Sequence, residues 1–264
     1  MPKDNVTDLS YLQHTSYHNH VDLKKLNLIV SWIRLRSVQA STPRVLEIGC
    51  GTGNISHPMA SLGWDVVATD VDSMSIEWAR AHCPFANANF VVGDILHDVA
   101  DYGMFDAVVM SEVLEHLSDP AVALRRILNL MKPKAVLALT TPNGYGPYEL
   151  SNALRDRTRS ALRRLGLLDT FRRIRGRNAG NLADEGLSTL NACTPHVQFF
   201  TLAVLQELLK DSGLRVLEWR NSDFVSFGWM RGIRWLASID CALTDHLPRS
   251  MSSGWYLLCQ KARA

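Results

Sequence analysis

An apolar run that ends in a glycine-rich turn constrains the fold of this chain more than any other feature. Residues 45–53 read Val-Leu-Glu-Ile-Gly-Cys-Gly-Thr-Gly. Glycine adopts positive φ readily and carries no side chain, so a ligand can lie against the main chain of such a turn. A helix that follows the turn offers free backbone N–H groups to the same ligand. The segment therefore predicts a strand, a ligand-binding turn and a helix, in that order.

Short apolar runs alternate with helical segments along the rest of the chain. Their spacing and the turn residues between them predict strands near residues 44–49, 65–70, 89–92, 105–110, 134–141, 214–219 and 254–260. Regular alternation of this kind is typical of a parallel sheet with helices on both faces. We therefore predict an α/β fold within residues 41–264, with a Rossmann-like, doubly wound, seven-stranded and mostly parallel sheet.

An amphipathic helix is predicted before the first strand, at residues 21–38. Its apolar side chains recur at helical spacing, as Leu23, Leu26, Ile29, Val30 and Ile33. We expect this helix to cover the edge of the domain, within an N-terminal helical extension formed by residues 1–40. Three histidines precede it, His14, His18 and His20. We interpret them as polar residues of a mobile arm rather than as a metal site.

Acidic residues end two further predicted strands. Asp70 ends the second strand, and Asp94 with Ile95 follows the third. A carboxylate at the tip of the second strand can accept hydrogen bonds from both hydroxyls of a ribose. The glycine turn differs from the dinucleotide fingerprint G-x-G-x-x-G, because it reads E-x-G-x-G-x-G from Glu47 onward. A nucleoside ligand without a pyrophosphate is therefore favoured over a nicotinamide dinucleotide.

These motifs resemble those of the class I S-adenosylmethionine (SAM) methyltransferases over residues 44–142, and more weakly near His196 and at the last strand. The resemblance implies that Glu47 faces the cationic methionine end of SAM, that Asp94 binds the adenine amino group and that Ile95 packs on the ring. It also implies that the seventh strand is antiparallel. The residues implied to bind SAM are Glu47, Gly49, Cys50, Gly51, Gly53, Asp70, Val71, Asp94, Ile95 and Ser111.

A Glu/His group follows the fourth predicted strand. Glu112, Glu115 and His116 form E-x-x-E-H, and His196 lies downstream, just before a predicted helix. Two carboxylates and two imidazoles could ligate one divalent cation, Mg²⁺ or Mn²⁺, which would lower the pKa of a substrate hydroxyl. Alternatively, His116 or His196 is a metal-free general base, or the group has a structural role only. The four residues resemble the metal site of the small-RNA 2′-O-methyltransferases, and E-x-x-E-H also resembles the ubiquinone-pathway O-methyltransferases.

A segment rich in turn-forming residues follows the fifth predicted strand, at residues 140–148. Turn formers at the end of a strand predict a rigid rim beside the reacting groups. Asn143, Tyr145 and Tyr148 are candidate substrate contacts in this rim. They could instead only stabilise the loop.

Two insertions, near residues 150–192 and 221–248, stand outside the alternating pattern and are predicted to form a helical lid. Arg155–Arg177 contains nine arginines and two aspartates, a local charge of +7 in a chain whose formal charge is only +2. Apolar residues at helical spacing make residues 154–177 an amphipathic basic helix. Three interpretations stay open: a lid on the cofactor domain, a contact with an anionic membrane, and a nucleic-acid contact, the last being the least favoured. Phe224–Leu243 combines aromatic residues with Arg231 and Arg234 and suits either a membrane-facing surface or a pocket wall.

The function we predict is SAM-dependent O-methylation of a small, lipid-linked or polysaccharide-precursor acceptor. The alternatives are an RNA 2′-O-methyltransferase, a nicotinamide-dependent oxidoreductase and a non-catalytic membrane scaffold. The chain contains no apolar run long enough for a membrane span, no export signal and no CxxC spacing among its five cysteines. These observations predict a cytoplasmic protein, with peripheral membrane contact as an open alternative. The sequence does not predict its oligomeric state.

Overall fold

A computed structural model describes residues 9–36, 42–97, 103–147, 150, 196–224 and 234–262 of the 264-residue chain. The predicted basic helix at 154–177 and the candidate substrate contact Tyr148 lie outside these residues. So does most of the insertion predicted near 150–192.

The described residues form one seven-stranded sheet with the order β3-β2-β1-β4-β5-β7-β6. Strands β1 to β5 are parallel, and β7 runs antiparallel to both β5 and β6. The strands are β1 Arg44–Ile48, β2 Asp65–Asp70, β3 Ala88–Val92, β4 Phe105–Ser111, β5 Met131–Pro142, β6 Leu214–Asn221 and β7 Gly254–Lys261. The predicted α/β fold and its antiparallel seventh strand are confirmed.

The strand order reverses between β1 and β4, which pair directly although β2 and β3 separate them in the chain. In open α/β sheets, ligands bind at the carboxyl ends of the strands that flank such a reversal. The glycine turn follows β1, and the E-x-x-E-H segment follows β4. The topology therefore brings the two main sequence motifs to one crevice.

Helices cover both faces of the sheet. They are α1 His20–Arg36, α2 Ser56–Ser61, α3 Ser73–His82, α4 Pro120–Leu130, α5 Leu202–Asp211 and α6 Arg234–Thr244. Three of these helices have a side-chain N-cap. Asp72 accepts from two backbone N–H groups of α3, Asp119 from one of α4 and Thr201 from one of α5. Each of these bonds pairs a backbone N–H group that the first helical turn leaves without a partner.

Helix α1 packs on a face of the sheet, and the expectation that it covers an edge is wrong. Leu26, Ile29 and Ile33 are fully buried in one core cluster with Val45 of β1 and Val136 of β5. The opposite cluster contains Leu46, Val108 and Leu137, together with apolar residues of α4 and α5. Because neighbouring strand residues point to opposite faces, each central strand contributes to both clusters. The helical period predicted the apolar side of α1 but not the surface that it covers.

The segment before α1 is ordered against the domain, so the interpretation of its histidines as part of a mobile arm is wrong where the structure describes them. Tyr11 is fully buried in a short 3-10 helix, Ser10–His14, and its hydroxyl donates to Asn27 Oδ1 at 2.6 Å. The His14 ring packs edge-on against Phe85 with centroids 4.9 Å apart. A buried tyrosine with a hydrogen-bonded hydroxyl anchors the segment, a role that its sequence pattern does not reveal.

Candidate functional site

A cavity of about 620 Å³ lies at the carboxyl ends of β1 and β4. Nine of the ten residues implied to bind SAM line it: Glu47, Gly49, Cys50, Gly51, Asp70, Val71, Asp94, Ile95 and Ser111. The tenth, Gly53, has φ of +86°, and a Cβ atom there would lie 2.5 Å from the His57 ring. The structure thus brings nine of the predicted cofactor residues together, whereas Gly53 packs against the His57 ring and does not line the cavity.

The glycine turn presents bare backbone to this cavity. The N–H groups of Gly49 and Cys50 donate to Thr69 O at 2.7 and 3.0 Å, which fixes the turn against the end of β2. A Cβ atom at Gly49 would collide with the Val113 side chain, whereas one at Gly51 would meet nothing within 4 Å. Gly51, with φ of +51°, therefore borders open space in which a ligand can lie against the main chain.

Asp70 joins the glycine turn to the end of β2. Its buried carboxylate accepts from Gly51 N at 2.7 Å and from Asp72 N at 2.9 Å. Asp72, and not Asp70, is the N-cap of α3. A carboxylate at this strand tip, on the cavity wall, suits the hydroxyls of a ribose.

Asp94 also lines the cavity, beside His97, a histidine that the sequence analysis missed. Its Oδ2 lies 2.8 Å from His97 Nδ1, and its Oδ1 accepts from Leu96 N at 2.8 Å. Burial alone would raise the pKa of Asp94, but the hydrogen bonds from His97 and Leu96 lower it overall. A carboxylate kept ionised in this way accepts well from an amino group such as that of adenine. The i,i+3 spacing from Asp94 is the only signal that could have indicated His97.

A carboxyl group and an amine, those of Glu47 and Lys25, also line the cavity. Glu47 is buried at the end of β1 and accepts from Ser56 Oγ, and its burial raises the pKa of the carboxyl group to about 8. Lys25 of α1 is also buried, with Nζ 3.5 Å from Asp22 Oδ1 and 5.4 Å from the centroid of the Tyr17 ring. Burial alone would lower the pKa of Lys25, but Tyr17, Glu112 and Asp22 raise it overall. This pair fits the methionine end of SAM, which carries both an ammonium and a carboxylate.

Lys25 and Tyr17 are site residues that sequence reasoning missed. Lys25 follows Val21 by four residues and precedes Ile29 by four, so it falls within the buried stripe of α1. A lysine in an apolar stripe is the signal that could have identified it. Tyr17 reaches the cavity because Asn54 Oδ1, next to the glycine turn, accepts from Ser16 N at 2.9 Å.

Three of the four candidate metal ligands come together beside the cavity. Ligand atoms of Glu115, His116 and His196 lie within 4.8 Å of one another, and the two imidazole rings meet edge-on with centroids 5.0 Å apart. The buried Glu115 carboxyl also accepts from Thr141 Oγ1 at 3.2 Å. Glu112 does not join the group, because its carboxylate accepts from Thr140 Oγ1 at 2.6 Å.

Two candidate substrate contacts in the rim after β5, Asn143 and Tyr145, differ in their exposure. The Asn143 side chain is buried and donates to Ser250 O and Ser252 O at 3.1 and 2.8 Å, so it stabilises the loop. Tyr145, in contrast, is 70% exposed. Val197 and Phe199 lie across from it, since Gly144 N donates to Phe200 O at 3.1 Å, and both are more than half exposed. Among the described residues of this rim, Tyr145, Val197 and Phe199 therefore expose large apolar surfaces.

Comparison with known proteins agrees with this geometry. A family model described as a methyltransferase domain matches residues 18–218. A ubiquinone biosynthesis O-methyltransferase of Xanthomonas campestris pv. campestris (strain B100) is 38% identical over 103 residues, which cover 38% of this chain and 43% of that protein. One from Caulobacter sp. (strain K31) is 36% identical over 107 residues, 38% of this chain and 41% of that protein. The matched part spans less than half the length of these relatives.

Solved structures share the fold at low sequence identity. The CcbJ methyltransferase from Streptomyces caelestis has a TM-score of 0.56 at 14% identity, covering 93% of this chain and 91% of that one. Magnesium protoporphyrin IX methyltransferase from Synechocystis PCC 6803, solved with bound S-adenosylhomocysteine (SAH), has a TM-score of 0.55 at 14% identity and covers 98% and 96%. Nothing in these matches supports an oxidoreductase or a non-catalytic scaffold. By its family match and its fold, the chain belongs to the class I SAM-dependent methyltransferases.

Proposed function

We propose that this enzyme methylates an oxygen atom of an acceptor whose remainder is apolar and lipid-linked. The observation that carries the proposal is the pair of histidines, His116 and His196, set beside the cofactor cavity under an apolar rim. A hydroxyl group is a poor nucleophile until it loses its proton, and an imidazole is the side chain best suited to accept that proton near neutral pH.

The remaining residues orient the cofactor. SAM, when bound, supplies an activated methyl group, so the protein needs only to align the acceptor and accept a proton. Lys25 matches the charge of the methionine carboxylate, a carboxyl oxygen of Glu47 can accept from the ammonium group, Asp70 suits the ribose and Asp94 suits the adenine amino group. These contacts would fix the cofactor at three points around the cavity and direct its methionine end toward the β1 and β4 edge, where His116 lines the wall.

A divalent cation is the alternative way to activate the hydroxyl. Glu115, His116 and His196 together offer one carboxylate and two imidazoles. Imidazole suits transition ions better than Mg²⁺, so this donor set favours Mn²⁺ or a later transition ion. Such an ion would lower the pKa of a bound hydroxyl, and the two histidines would then be ligands rather than bases.

The apolar rim supports the lipid-linked class of acceptor. Tyr145, Val197 and Phe199 each expose more than half of their surface, and the Phe199 and His196 ring centroids lie 6.1 Å apart. A polysaccharide precursor would need hydroxyl and carboxylate partners at this rim instead. The curated relatives are named for ubiquinone biosynthesis, which is consistent with an acceptor that carries an apolar part.

The direct test is methyl transfer from tritiated SAM to two acceptors in detergent micelles, a prenylated vicinal dihydroxybenzene and the same ring without the prenyl chain. We expect O-methylated product, identified by mass spectrometry, with a lower KM for the prenylated acceptor. Equal KM values would overturn the lipid-linked part of the proposal. Preferential methylation of RNA in a parallel reaction would favour the 2′-O-methyltransferase alternative.

Variants separate the roles of the histidines. Replacing either residue, His116→Ala or His196→Ala, should lower kcat by about 10²–10⁴-fold. The SAH dissociation constant should stay unchanged in His196→Ala, because His116 lines the cofactor cavity and His196 does not. His82→Ala is the matched control, because His82 lies on α3, stacked on Trp78, and does not line the cavity. Loss of activity after EDTA treatment with recovery in Mn²⁺ would assign the histidines to a metal site, whereas full activity after EDTA treatment would make one of them the base.

A further inference from the structure

The outer face of α6 exposes a continuous apolar stripe. Trp235, Ile239 and Leu243 are 64%, 50% and 60% exposed, and their i, i+4, i+8 spacing places them in one row along the helix. The opposite face is buried through Ala237, Cys241 and Thr244. The inner side of helix α6 is thus buried, as is usual for a surface helix. Its outer side exposes apolar residues where charged residues are expected.

Both acids of the segment that contains α6 have partners, and arginines flank this helix in the sequence. The acids of the segment are held by other groups: Asp240 Oδ2 accepts from Phe224 N at 3.1 Å, and Asp245 Oδ1 lies 2.8 Å from Lys24 Nζ. In the sequence, Arg231, which lies outside the described residues, and Arg234 precede the exposed stripe. Arg249 follows it, with its guanidinium carbon 5.0 Å from the centroid of the Trp219 ring. A sequence in which arginines flank an apolar stripe that begins with tryptophan is typical of helices that lie in a bilayer interface.

The position of α6 relates this face to the active site. In the chain, the helix lies between the end of β6 and the start of β7. Both of these strand ends lie beside the carboxyl end of β5, on the side of the sheet where the cofactor cavity opens. Its inner side packs against α1, where Lys24 Nζ also donates to Cys241 O at 3.3 Å. The next residue, Lys25, lines the cavity. A surface that rests on α6 would therefore lie close to the rim of the site.

We propose that the outer face of α6 docks on an anionic lipid bilayer, with Trp235 at headgroup level and Ile239 and Leu243 at the acyl boundary. The stripe consists of three partly exposed side chains along about 12 Å of helix, whereas a stable dimer interface of standard size takes about 20–30 residues from each partner. A shallow interfacial helix needs only such a stripe and flanking cations. The choice of a bilayer as the partner of this face rests on the proposed function, a lipid-linked acceptor. The exposure of the stripe is an observation that does not depend on the proposed function.

Vesicle co-sedimentation of the full chain tests the docking. The probes are vesicles of phosphatidylcholine alone and of phosphatidylcholine with phosphatidylglycerol. We expect binding to the anionic vesicles and a loss of about tenfold or more in the double variant Ile239→Glu, Leu243→Glu. Val204→Glu is the matched control, because Val204 is an exposed apolar residue on α5. SAH titration of each variant verifies that it is folded.

Three outcomes would overturn the docking proposal. The first is absence of wild-type binding to anionic vesicles. The second is equal binding by the double variant, which would assign binding to another surface such as the basic segment 154–177. The third is a wild-type dimer in sedimentation velocity that the double variant converts to a monomer, since the face would then be buried between copies. Vesicle binding without transfer to the prenylated acceptor would instead reject the proposed function and leave the docking intact.

Discussion

Glu47 is the buried acid whose ionisation should have the clearest effect on folding. Burial raises its pKa from an ordinary 4.5 to about 8. A carboxyl group with a raised folded-state pKa stabilises the folded chain fully below its unfolded pKa, and this contribution is lost as pH rises through about 8. We expect Glu47 to make the wild type lose a few kcal/mol of stability across that range.

Urea unfolding of the wild type and of Glu47→Gln at a series of pH values measures this effect. The glutamine carbonyl can still accept from Ser56 Oγ, so the variant keeps the hydrogen bond without the titration. The wild-type stability should fall relative to that of the variant between pH 4.5 and pH 8. Parallel curves for the two proteins would show that burial does not raise the pKa of Glu47 above its value in the unfolded chain.

Lys25 should determine affinity for the carboxylate of the cofactor. Among the described residues that line the cavity, it is the only lysine or arginine. A charge-assisted hydrogen bond contributes about 1.5–3 kcal/mol, so Lys25→Met should weaken SAH binding by roughly 10–100-fold. Calorimetric titration measures this, with decarboxylated SAH as the control ligand. A ligand without the carboxylate should bind both proteins equally, and an equal loss with both ligands would mean that Lys25 has a structural role only.

The residues of the site differ in how far their roles could be predicted. Glu47, Asp70 and Asp94 are local signals, because each lies at the end of an apolar run that reads as a strand. Lys25 and Tyr17 come from a segment that reaches the cavity only through tertiary packing. The apolar stripe of α1 marks Lys25 as unusual, but no local pattern indicates which cavity it lines, and none indicates Tyr17. Glu112 belongs to the E-x-x-E-H motif, yet its carboxylate accepts from Thr140 Oγ1 and is not part of the group formed by Glu115, His116 and His196.

At the scale of elements, one lysine connects α1 to α6. Lys24 Nζ lies 3.0 Å from Asn221 O, 3.1 Å from Ser222 O and 2.8 Å from Asp245 Oδ1. Removing the ammonium group leaves these acceptors without their donor, so Lys24→Met should lower the free energy of unfolding by about 1.5–3 kcal/mol. Asp245→Asn removes only the partly exposed ion pair and should cost less than about 1 kcal/mol. Chemical denaturation of both variants measures the difference, and equal losses would mean that the backbone acceptors contribute nothing.

Element boundaries were predicted well except where long-range pairing sets them. The fifth strand was predicted at 134–141, because Lys132-Pro133 reads as the stop of a helix. The observed strand, Met131–Pro142, begins earlier because Met131 pairs with Phe105 across a register shift. Lys132 Nζ lies 2.9 Å from Asp106 Oδ2 at the same place, and Lys134 has φ of +70°. Pairing with β4 thus overrides the local stop signal.

At the scale of the whole molecule, the sheet order follows from rules of chain connection. Parallel strands joined by helices predict a doubly wound sheet, and a reversal in its order predicts where a ligand binds. The identity of the helix that completes the site is not contained in these rules. Helix α1 and the segment before it contribute Lys25 and Tyr17 to the cavity wall, and Ser16 N of that segment donates to Asn54 Oδ1 beside the glycine turn. These parts of the chain are distant in sequence.

Cofactor binding should stabilise the whole domain through Asp70. At about 100 times its dissociation constant, SAH adds about 2.7 kcal/mol, which corresponds to a rise in Tm of roughly 5–10 °C for a domain of this size. Asp70→Ala should abolish most of this rise, because the carboxylate that suits the ribose hydroxyls is lost. Asp72→Ala is the matched control: it removes the N-cap of α3 and should lower the baseline Tm by about 2–4 °C, yet keep the full rise with SAH. Thermal unfolding with and without SAH measures both quantities. If Asp70→Ala does not fold, Asp70→Asn replaces it, and a full rise with SAH in that variant would exclude Asp70 from the cofactor site.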